Sequence, residues 1–258
     1  MTTVVFLHIP KTAGQTIHNA LVKAVGGPEH VSPVRTHTQA PNGPQMPAGY
    51  RFYSGHIDWD ELGSLPQDRF VFSVLREPRE RIASFYLYLL KEAQALSPEA
   101  LQRPENLGKR RILNMSADNY FFGGDAAWQN FVRDHYDNFY CAYFATRKMR
   151  GRRALAGLNA AEVMARARDG LAQLDGLYAT TGLAALETDI AARLGQQINV
   201  AQSFHNTGGH AAGEARWPKL LALFERDSSA AKLAEFASLD TALISEALPE
   251  DWALGEGR

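Results

Sequence analysis

The chain has 258 residues, of which 45% are hydrophobic and 21% are charged. This composition is typical of a soluble globular protein and excludes a largely disordered chain. The 27 basic and 28 acidic residues give a net charge of −1, which argues against a dedicated nucleic-acid-binding protein. The sequence contains no repeat of the solenoid or propeller type. We expect one domain that spans residues 1–258.

Cysteine content and the lengths of the apolar runs bear on the compartment. The single cysteine, Cys141, excludes an internal disulfide framework and a multi-cysteine metal site. The first apolar run, residues 4–7, is followed by His8 and Lys11 and is far too short for a signal segment. No later stretch of the sequence reaches the roughly 20 apolar residues that a membrane-spanning helix needs. We therefore expect a cytoplasmic protein without stable membrane insertion.

The first predicted unit is a strand, a short loop and a helix. Residues 4–7 form a continuous apolar run, which is typical of a strand buried on both faces of a parallel sheet. After the loop, apolar residues recur at helical spacing on one face, at Ile17, Ala20, Leu21, Ala24 and Val25. The two glycines and the proline at residues 26–28 predict the end of this helix.

A second unit of the same kind follows an irregular connection over residues 28–50. Residues 51–54 predict a short strand, and residues 70–75 predict a strong strand that leads into a helix beginning at Pro78. The later predictions are mostly helices over 94–175 with loops around Pro98, Pro104 and 123–124, a strand at 177–181, a helix over 183–194, a loop at 208–209 and helices over 217–248. Repeated strand-then-helix units favour an α/β fold with a parallel sheet covered on both faces.

The loop over residues 9–16 has the chemistry of an anion site. It leads into a helix N-terminus, where free backbone N–H groups and the helix dipole favour an anion. Gly14 allows close approach of a ligand, and Lys11 supplies a mobile positive charge. Thr12 and Thr16 offer hydroxyl groups. The Walker A pattern G-x-x-x-x-G-K-[ST] is absent, and the alternative interpretation is an ordinary turn with a surface lysine.

The second strong strand also ends in anion-binding residues. Arg76 stands at its end, and Ser84 lies on the helix that follows. In an open parallel sheet, ligands bind outside the carboxyl ends of the strands. Two such ends with this chemistry predict a ligand that carries two separated anionic groups. We assign Arg76 to this ligand and Arg79 to a solvated helix face.

Both segments resemble motifs of a known enzyme family. Residues 8–14, His-Ile-Pro-Lys-Thr-Ala-Gly, resemble the 5′-phosphosulfate loop of sulfotransferases that use 3′-phosphoadenosine 5′-phosphosulfate (PAPS). Residues 75–86, Leu-Arg-Glu-Pro-Arg-Glu-Arg-Ile-Ala-Ser-Phe-Tyr, resemble their 3′-phosphate motif. The resemblance is greatest to carbohydrate sulfotransferases of the glycosaminoglycan 2-O type and their bacterial relatives. Gln15 replaces the usual small hydroxyl residue of these motifs, and Glu77 replaces the commoner Asp.

This resemblance implies a P-loop-like three-layer α/β fold with a central, mostly parallel sheet flanked by helices. It implies in-line transfer of a sulfuryl group from PAPS, as co-substrate, to an acceptor hydroxyl on a carbohydrate. By the same resemblance, Arg76 and Ser84 hold the 3′-phosphate of PAPS. The residues implied around the phosphosulfate are Lys11, Thr12, Ala13, Gly14, Gln15 and Thr16.

The resemblance also implies Lys11 and His56 as the catalytic pair. Negative charge grows on the leaving oxygen as the S–O bond breaks, and the Lys11 ammonium stabilises it. In the 2-O-sulfotransferases two histidines flank a glycine after the phosphate loop, and here Ser54 takes the first place and His56 the second. Neutral imidazole accepts a proton near pH 7, so we prefer His56 as general base. The alternatives are a structural role for His56 and a base at Asp58, Asp60 or His37.

We expect no metal, because a sulfuryl group carries less negative charge than a phosphoryl group and the sequence has no cluster with metal-ligand spacing. Two other functions stay open. A P-loop kinase of small molecules needs a Walker lysine and an acidic Mg²⁺ ligand, and neither is recognisable. A non-catalytic nucleotide-binding module binds the desulfated nucleotide without turnover.

Two further features each have two interpretations. The basic run at residues 147–153 either binds an anionic acceptor such as an acidic glycan or is a solvated loop, the commoner case for charge runs. Four aromatic residues predict either an acceptor cleft or core packing, namely Tyr120, Phe121, Phe122 and Trp128.

Overall fold

The computed structural model describes residues 2–202 and 215–248. Its central sheet contains, within these residues, the strands β1 (Thr3–Leu7), β2 (Phe52–Gly55), β3 (Arg69–Leu75) and β4 (Gly176–Ala179). The strands lie in the order β2-β1-β3-β4, and every pairing is parallel. The register pairs Leu7 with Gly55 and Phe6 with Phe72, so β1 and β2 end side by side and β3 extends beyond them to Leu75.

Helices cover both faces of this sheet. Those before β4 are α1 (Gly14–Ala24), α2 (Pro78–Gln94), α3 (Pro98–Leu101), α4 (Leu107–Asn114), α5 (Ala117–Phe122), α6 (Ala126–Tyr136), α7 (Phe139–Thr146) and α8 (Ala160–Leu171). Those after β4, within the described residues, are α9 (Leu183–Leu194), α10 (Trp217–Leu221), α11 (Asp227–Glu235) and α12 (Ser238–Ala247).

Strand β1 is buried on both faces because its side chains alternate between two apolar clusters. Val5 and Leu7 belong to a cluster that includes side chains of α7 and α8. Val4 and Phe6 belong to a second cluster, with side chains of α1 and α9. A strand covered on both faces by helices is typical of parallel α/β sheets. The predicted α/β fold, with helices flanking a central parallel sheet, is therefore confirmed.

Most predicted elements are present, with small shifts. The strand expected at residues 51–54 is β2, and the strand expected at 177–181 is β4. The loop expected around Pro98 is instead the start of α3, because the Ser97 hydroxyl caps this short helix by accepting from the Ala100 amide at 3.2 Å. The loop expected at 208–209 lies outside the described residues.

The aromatic residues of α5 and α6 form a core and not a cleft. Tyr120 and Phe121 are fully buried, and Trp128 is nearly so. The Trp128 indole N–H donates to the Tyr120 carbonyl at 2.8 Å, and the Tyr120 and Tyr136 hydroxyls lie 3.1 Å apart. These side chains belong to a third apolar cluster that packs against α2. Core packing is therefore the correct interpretation for Tyr120, Phe121 and Trp128.

Within the described parts of the chain, no helix combines the length and the apolar character that a membrane span requires.

Candidate active site

Three segments meet at the carboxyl edge of the sheet, because β2, β1 and β3 are parallel neighbours. His56 directly follows β2, Arg76 directly follows β3, and residues 8–13 connect β1 to α1. Open α/β sheets bind ligands outside this edge. The sheet order therefore puts the loop of residues 8–13 between His56 and Arg76.

The loop after β1 has a strained backbone and little free space. Lys11 and Ala13 have positive φ angles of 74° and 63°, in the left-handed region that non-glycine residues rarely adopt. A Cβ atom at residue 14 would overlap the ring of His8, so the close approach of that ring requires Gly14. Strain of this kind persists only where the surrounding structure holds it, and it clusters at ligand sites.

Two side chains of this loop bond within the protein. The buried Thr12 hydroxyl donates to the Ile9 carbonyl at 2.9 Å and so holds the loop together. Gln15 is exposed, and its side-chain amide donates to Asn19 Oδ1 at 2.8 Å, one turn along α1. Among the described residues, no side chain caps the first turn of α1. That turn therefore presents backbone N–H groups that suit an anion.

Lys11 lies in an electropositive, partly buried setting. Its Nζ is 3.8 Å from the centre of the Tyr88 ring on α2. The pKa of Lys11 is lowered to about 8. Burial is the largest cause, the positive charges of Arg216 and Arg76 add to it, and Glu92 opposes them. A lysine with a lowered pKa beside two arginines fits a site that holds an anionic ligand.

The predicted partners Arg76 and Ser84 lie close together. Arg76 Nη1 is 3.5 Å from Ser84 Oγ, at the outer limit of a hydrogen bond, and Ser84 is buried. The Tyr140 hydroxyl fixes the backbone of Arg76, accepting from its amide at 3.1 Å and donating to its carbonyl at 2.9 Å. Arg79 is exposed, as expected of a solvated helix face. Arg76 and Ser84 thus form a cationic hydrogen-bonding pair at the end of β3.

A third cation, Arg216, reaches the same region from the C-terminal part of the chain. The buried carboxylate of Glu80 accepts from the Arg216 amide at 2.9 Å and from the Trp217 amide at 2.8 Å. This bond ties the start of α10 to α2. Sequence reasoning missed Arg216, because 136 residues separate it from Glu80 and no local pattern marks it.

His56 is oriented by the backbone of the neighbouring strand end. Its Nδ1 lies 2.8 Å from the His8 carbonyl oxygen, so we assign the Nδ1 proton as the donor. This tautomer leaves Nε2 with its lone pair, as a general base requires. Burial lowers the pKa of His56, and the positive charge of Arg35 adds to this effect, although the bond to His8 opposes it. His56 is therefore neutral at pH 7.

Two more histidines surround His56. The rings of His8 and His56 have centres 4.4 Å apart, and burial together with His56 lowers the pKa of His8 well below its ordinary value. The His37 amide donates to the His56 carbonyl at 2.7 Å, so the strand-like pairing of residue 36 with residue 56 holds His37 beside the site. Neither ring nitrogen of His37 has a hydrogen-bond partner among the described residues.

The alternative carboxylate bases are engaged elsewhere. Asp58 accepts from the Met149 amide at 2.8 Å, and Asp60 forms an ion pair with Lys148 at 3.2 Å. The same contacts show that part of the basic run at 147–153 is paired inside the protein, as does the 2.7 Å pair of Arg152 with Asp137. Arg150 and Arg153 are exposed. An anionic acceptor on this run stays a prediction.

Within the described residues, no group of three or more His, Cys, Asp or Glu side chains is arranged to hold a metal ion.

The fold and the site define an α/β protein with a loop and helix N-terminus for one anion and an adjacent arginine-serine pair for a second. A family model described as "Sulfotransferase family" matches residues 2–148, more than half of the chain, including both of these segments. The chain therefore belongs to the sulfotransferase family and is an enzyme of sulfuryl transfer. A search of curated proteins found no match.

Proposed function

We propose that this enzyme transfers a sulfuryl group from PAPS to an acceptor hydroxyl, on a carbohydrate. The observation that carries the proposal is the order of three groups along the sheet edge, with His56 after β2, the Lys11 loop after β1 and Arg76 after β3. Sulfuryl transfer needs this sequence of functions, because the base must face the acceptor while the nucleotide lies on the opposite side of the sulfur.

The donor side of the proposal rests on complementary charge. PAPS supplies the sulfuryl group and carries anionic groups at its 5′ and 3′ positions. The backbone N–H groups of residues 12–16 and the Lys11 ammonium suit the phosphosulfate, and Arg76 with Ser84 suits the 3′-phosphate. Arg216, whose charge acts on Lys11, adds a third cation to the same region.

The acceptor side of the proposal rests on His56. Its Nε2 accepts the proton of the attacking hydroxyl, and its Nδ1–H bond to the His8 carbonyl keeps the ring in the required tautomer. Lys11 stabilises the negative charge that develops on the leaving oxygen of the nucleotide. The choice of a carbohydrate acceptor is supported by the resemblance to 2-O-sulfotransferases, and an acceptor screen with isotopically labelled PAPS, read by mass spectrometry, tests it.

We also infer that residues 1–258 form a single sulfotransferase domain, although the family match ends at residue 148. Two buried carboxylates support this. Glu80 on α2 binds the amides before α10, and Asp240 on α12 accepts from the amides of Tyr140 and Cys141 at 3.0 and 2.8 Å. The C-terminal helices thus bond to elements inside the matched region.

The choice of donor is tested by nucleotide binding. Titration calorimetry should show that adenosine 3′,5′-bisphosphate binds far more tightly than AMP or ATP. Arg76→Ala should weaken bisphosphate binding by about 1.5–3 kcal/mol, or roughly 10- to 150-fold, because a charge-assisted hydrogen bond is lost. Arg79→Ala is the matched control, since Arg79 is an exposed arginine on the first turn of α2, three residues after Arg76, and its loss should leave binding unchanged.

Three results would contradict this function. Equal affinity for AMP and the bisphosphate would mean that Arg76 and Ser84 do not bind a 3′-phosphate. Preferential binding of ATP, with phosphoryl transfer, would support the alternative of a small-molecule kinase. Tight bisphosphate binding without turnover on any acceptor would identify a non-catalytic module.

A further inference from the structure

One face of α2 contacts the three residues that carry the positive charges of the site, namely Lys11, Arg76 and Arg216. Glu80, Ser84 and Tyr88 are spaced by four residues and therefore lie along one side of the helix. Glu80 binds the backbone of Arg216, Ser84 lies beside the Arg76 guanidinium, and the Tyr88 ring lies under the Lys11 ammonium. Glu80 and Ser84 thus contact the two arginines, and Tyr88 contacts the lysine.

Among the aromatic residues that the structure describes, Tyr88 is unusual because 43% of its surface is exposed. The exposed part of the ring gains no stability from burial, so the packing of the core accounts for only part of its position. The Nζ atom of Lys11 lies 3.8 Å from the ring centre. A cation at this distance over an aromatic face is attracted by the ring quadrupole.

We propose that Tyr88 is a positioning residue for Lys11. The Tyr88 ring holds the Lys11 ammonium group above it and keeps that group protonated in the electropositive donor site. The proposal rests on the proposed function, because Lys11 must be charged to stabilise the leaving oxygen. It concerns a residue outside the resemblance motif, which ends at Tyr86.

The charged neighbours of Lys11 explain why its protonated form requires stabilisation. Arg76 after β3 and Arg216 before α10 both disfavour a third positive charge. His8, on the other side of the loop, is itself disfavoured as a cation by Lys11. Glu92 on α2 is the opposing charge, and the Tyr88 hydroxyl donates to it. With burial added, these groups bring the pKa of Lys11 down to about 8.

A further decrease would leave much of Lys11 neutral at physiological pH. The ring favours the charged form, because its negative face attracts an ammonium and not an amine. Removal of the ring should therefore lower the pKa of Lys11 again, by roughly half a pH unit. The hydroxyl of Tyr88 contributes only through Glu92, so a phenylalanine should preserve most of the effect.

The experiment compares Tyr88→Leu with Tyr88→Phe. The first measurement is the pKa of Lys11 without substrates, from the pH dependence of its trace acetylation relative to an exposed lysine, Lys23, read by peptide mass spectrometry. We expect a lower pKa in Tyr88→Leu and a value near that of the wild type in Tyr88→Phe. Glu92→Gln, which removes the attractive charge of Glu92 but keeps the ring, should also lower it.

The second measurement is turnover as a function of pH. A protonated group loses its function as pH rises through its pKa, so Tyr88→Leu should lose kcat/KM, which reports the free enzyme, at a lower pH than the wild type. Tyr88→Phe should restore the wild-type profile, whereas KM for the donor should change by less than kcat. Thermal unfolding of each variant checks that the fold is intact, which the exposure of Tyr88 favours.

The proposal is overturned if Tyr88→Leu leaves the acetylation pKa of Lys11 unchanged. In that case, weaker binding of adenosine 3′,5′-bisphosphate by Tyr88→Leu alone would mean that the ring contacts the nucleotide, and intact binding would mean that it has no role at the site. The acetylation result does not depend on turnover, so it distinguishes a failure of this proposal from a failure of the sulfotransferase assignment.

Discussion

The loop after β1 divides the carboxyl edge of the sheet into two halves, a β3 side and a β2 side, and these differ in whether their basic side chains are charged. On the β3 side of the loop, Lys11, Arg76 and Arg216 are brought together despite their mutual repulsion. On the β2 side, His8 and His56 have lowered pKa values and are neutral at pH 7. One half is thus suited to an anion, and the other to an uncharged hydroxyl that must lose a proton.

Different physical causes maintain the two halves. The arginines of the β3 side are held by carboxylate and hydroxyl partners on α2 and α7. On the β2 side burial is the main cause of the low histidine pKa values, and the positive charge of Arg35 strengthens it. Arg35 itself contacts the ring of His18. A cation on the β2 side therefore keeps its neighbours uncharged.

The largest expected effect tests the β2 side. If His56 is the general base, His56→Ala should reduce kcat by about 10²- to 10⁴-fold and leave the Kd of adenosine 3′,5′-bisphosphate nearly unchanged. The physical reason is that only the proton acceptor is lost, while the cations of the β3 side remain. Steady-state kinetics and calorimetry on the same preparation measure the two quantities.

His37→Ala is the comparison for this variant, because His37 lies next to His56 and is the alternative histidine base. We expect it to lower kcat by less than tenfold. A larger loss in His37→Ala than in His56→Ala would transfer the role of base to His37. A large loss of nucleotide affinity in His56→Ala would instead mean that the two halves of the edge are not separate.

The second prediction uses pH to separate the halves. His56 acts when unprotonated, so activity falls as pH decreases through its pKa, and burial puts that decrease below the ordinary histidine value of about 6.5. Lys11 acts when protonated, so activity falls as pH rises through its pKa of about 8. The profile of kcat/KM, which reports the free enzyme, should therefore be bell-shaped, with a loss approaching tenfold per pH unit beyond each limb.

The two limbs should respond to different substitutions. Arg76→Ala removes a positive charge near Lys11 and should move the alkaline limb to higher pH while leaving the acid limb in place. Arg35→Gln should move the acid limb to higher pH, because Arg35 disfavours the protonated form of His56. A variant that moved both limbs together would contradict the division of the edge into two halves.

Sequence reasoning found the parts of this edge that short segments encode. The strand, loop and helix around Lys11 and around Arg76 follow from apolar spacing and from one proline, all within about 20 residues of each other in each unit. The placement of Ser84 beside Arg76 is likewise local. The order β2-β1-β3, which sets His56 and Arg76 on opposite sides of the loop, is a property of the whole sheet.

What the sequence did not reveal depends on contacts between distant segments. The tautomer of His56 depends on a carbonyl 48 residues earlier, and the position of Arg216 depends on a carboxylate 136 residues earlier. The engagement of Asp58 by the Met149 amide, 91 residues later, is of the same kind. The position of Tyr88 could have been predicted from the sequence, because its spacing of four from Ser84 puts both residues on one helix face.

The smallest expected effect concerns the loop between the two halves, which we expect to act through its backbone N–H groups and not through the Gln15 side chain. Gln15→Ala should leave bisphosphate affinity within about twofold of the wild type, because the exposed side chain bonds only to Asn19 and such a pair stabilises a helix by about 0.2–0.5 kcal/mol. Gln15→Pro removes the N–H group within the first turn of α1, where proline is tolerated, and should weaken binding more. Calorimetry measures both, and thermal unfolding controls for misfolding of the proline variant. A tenfold loss in Gln15→Ala would show that the side chain itself reaches the anion.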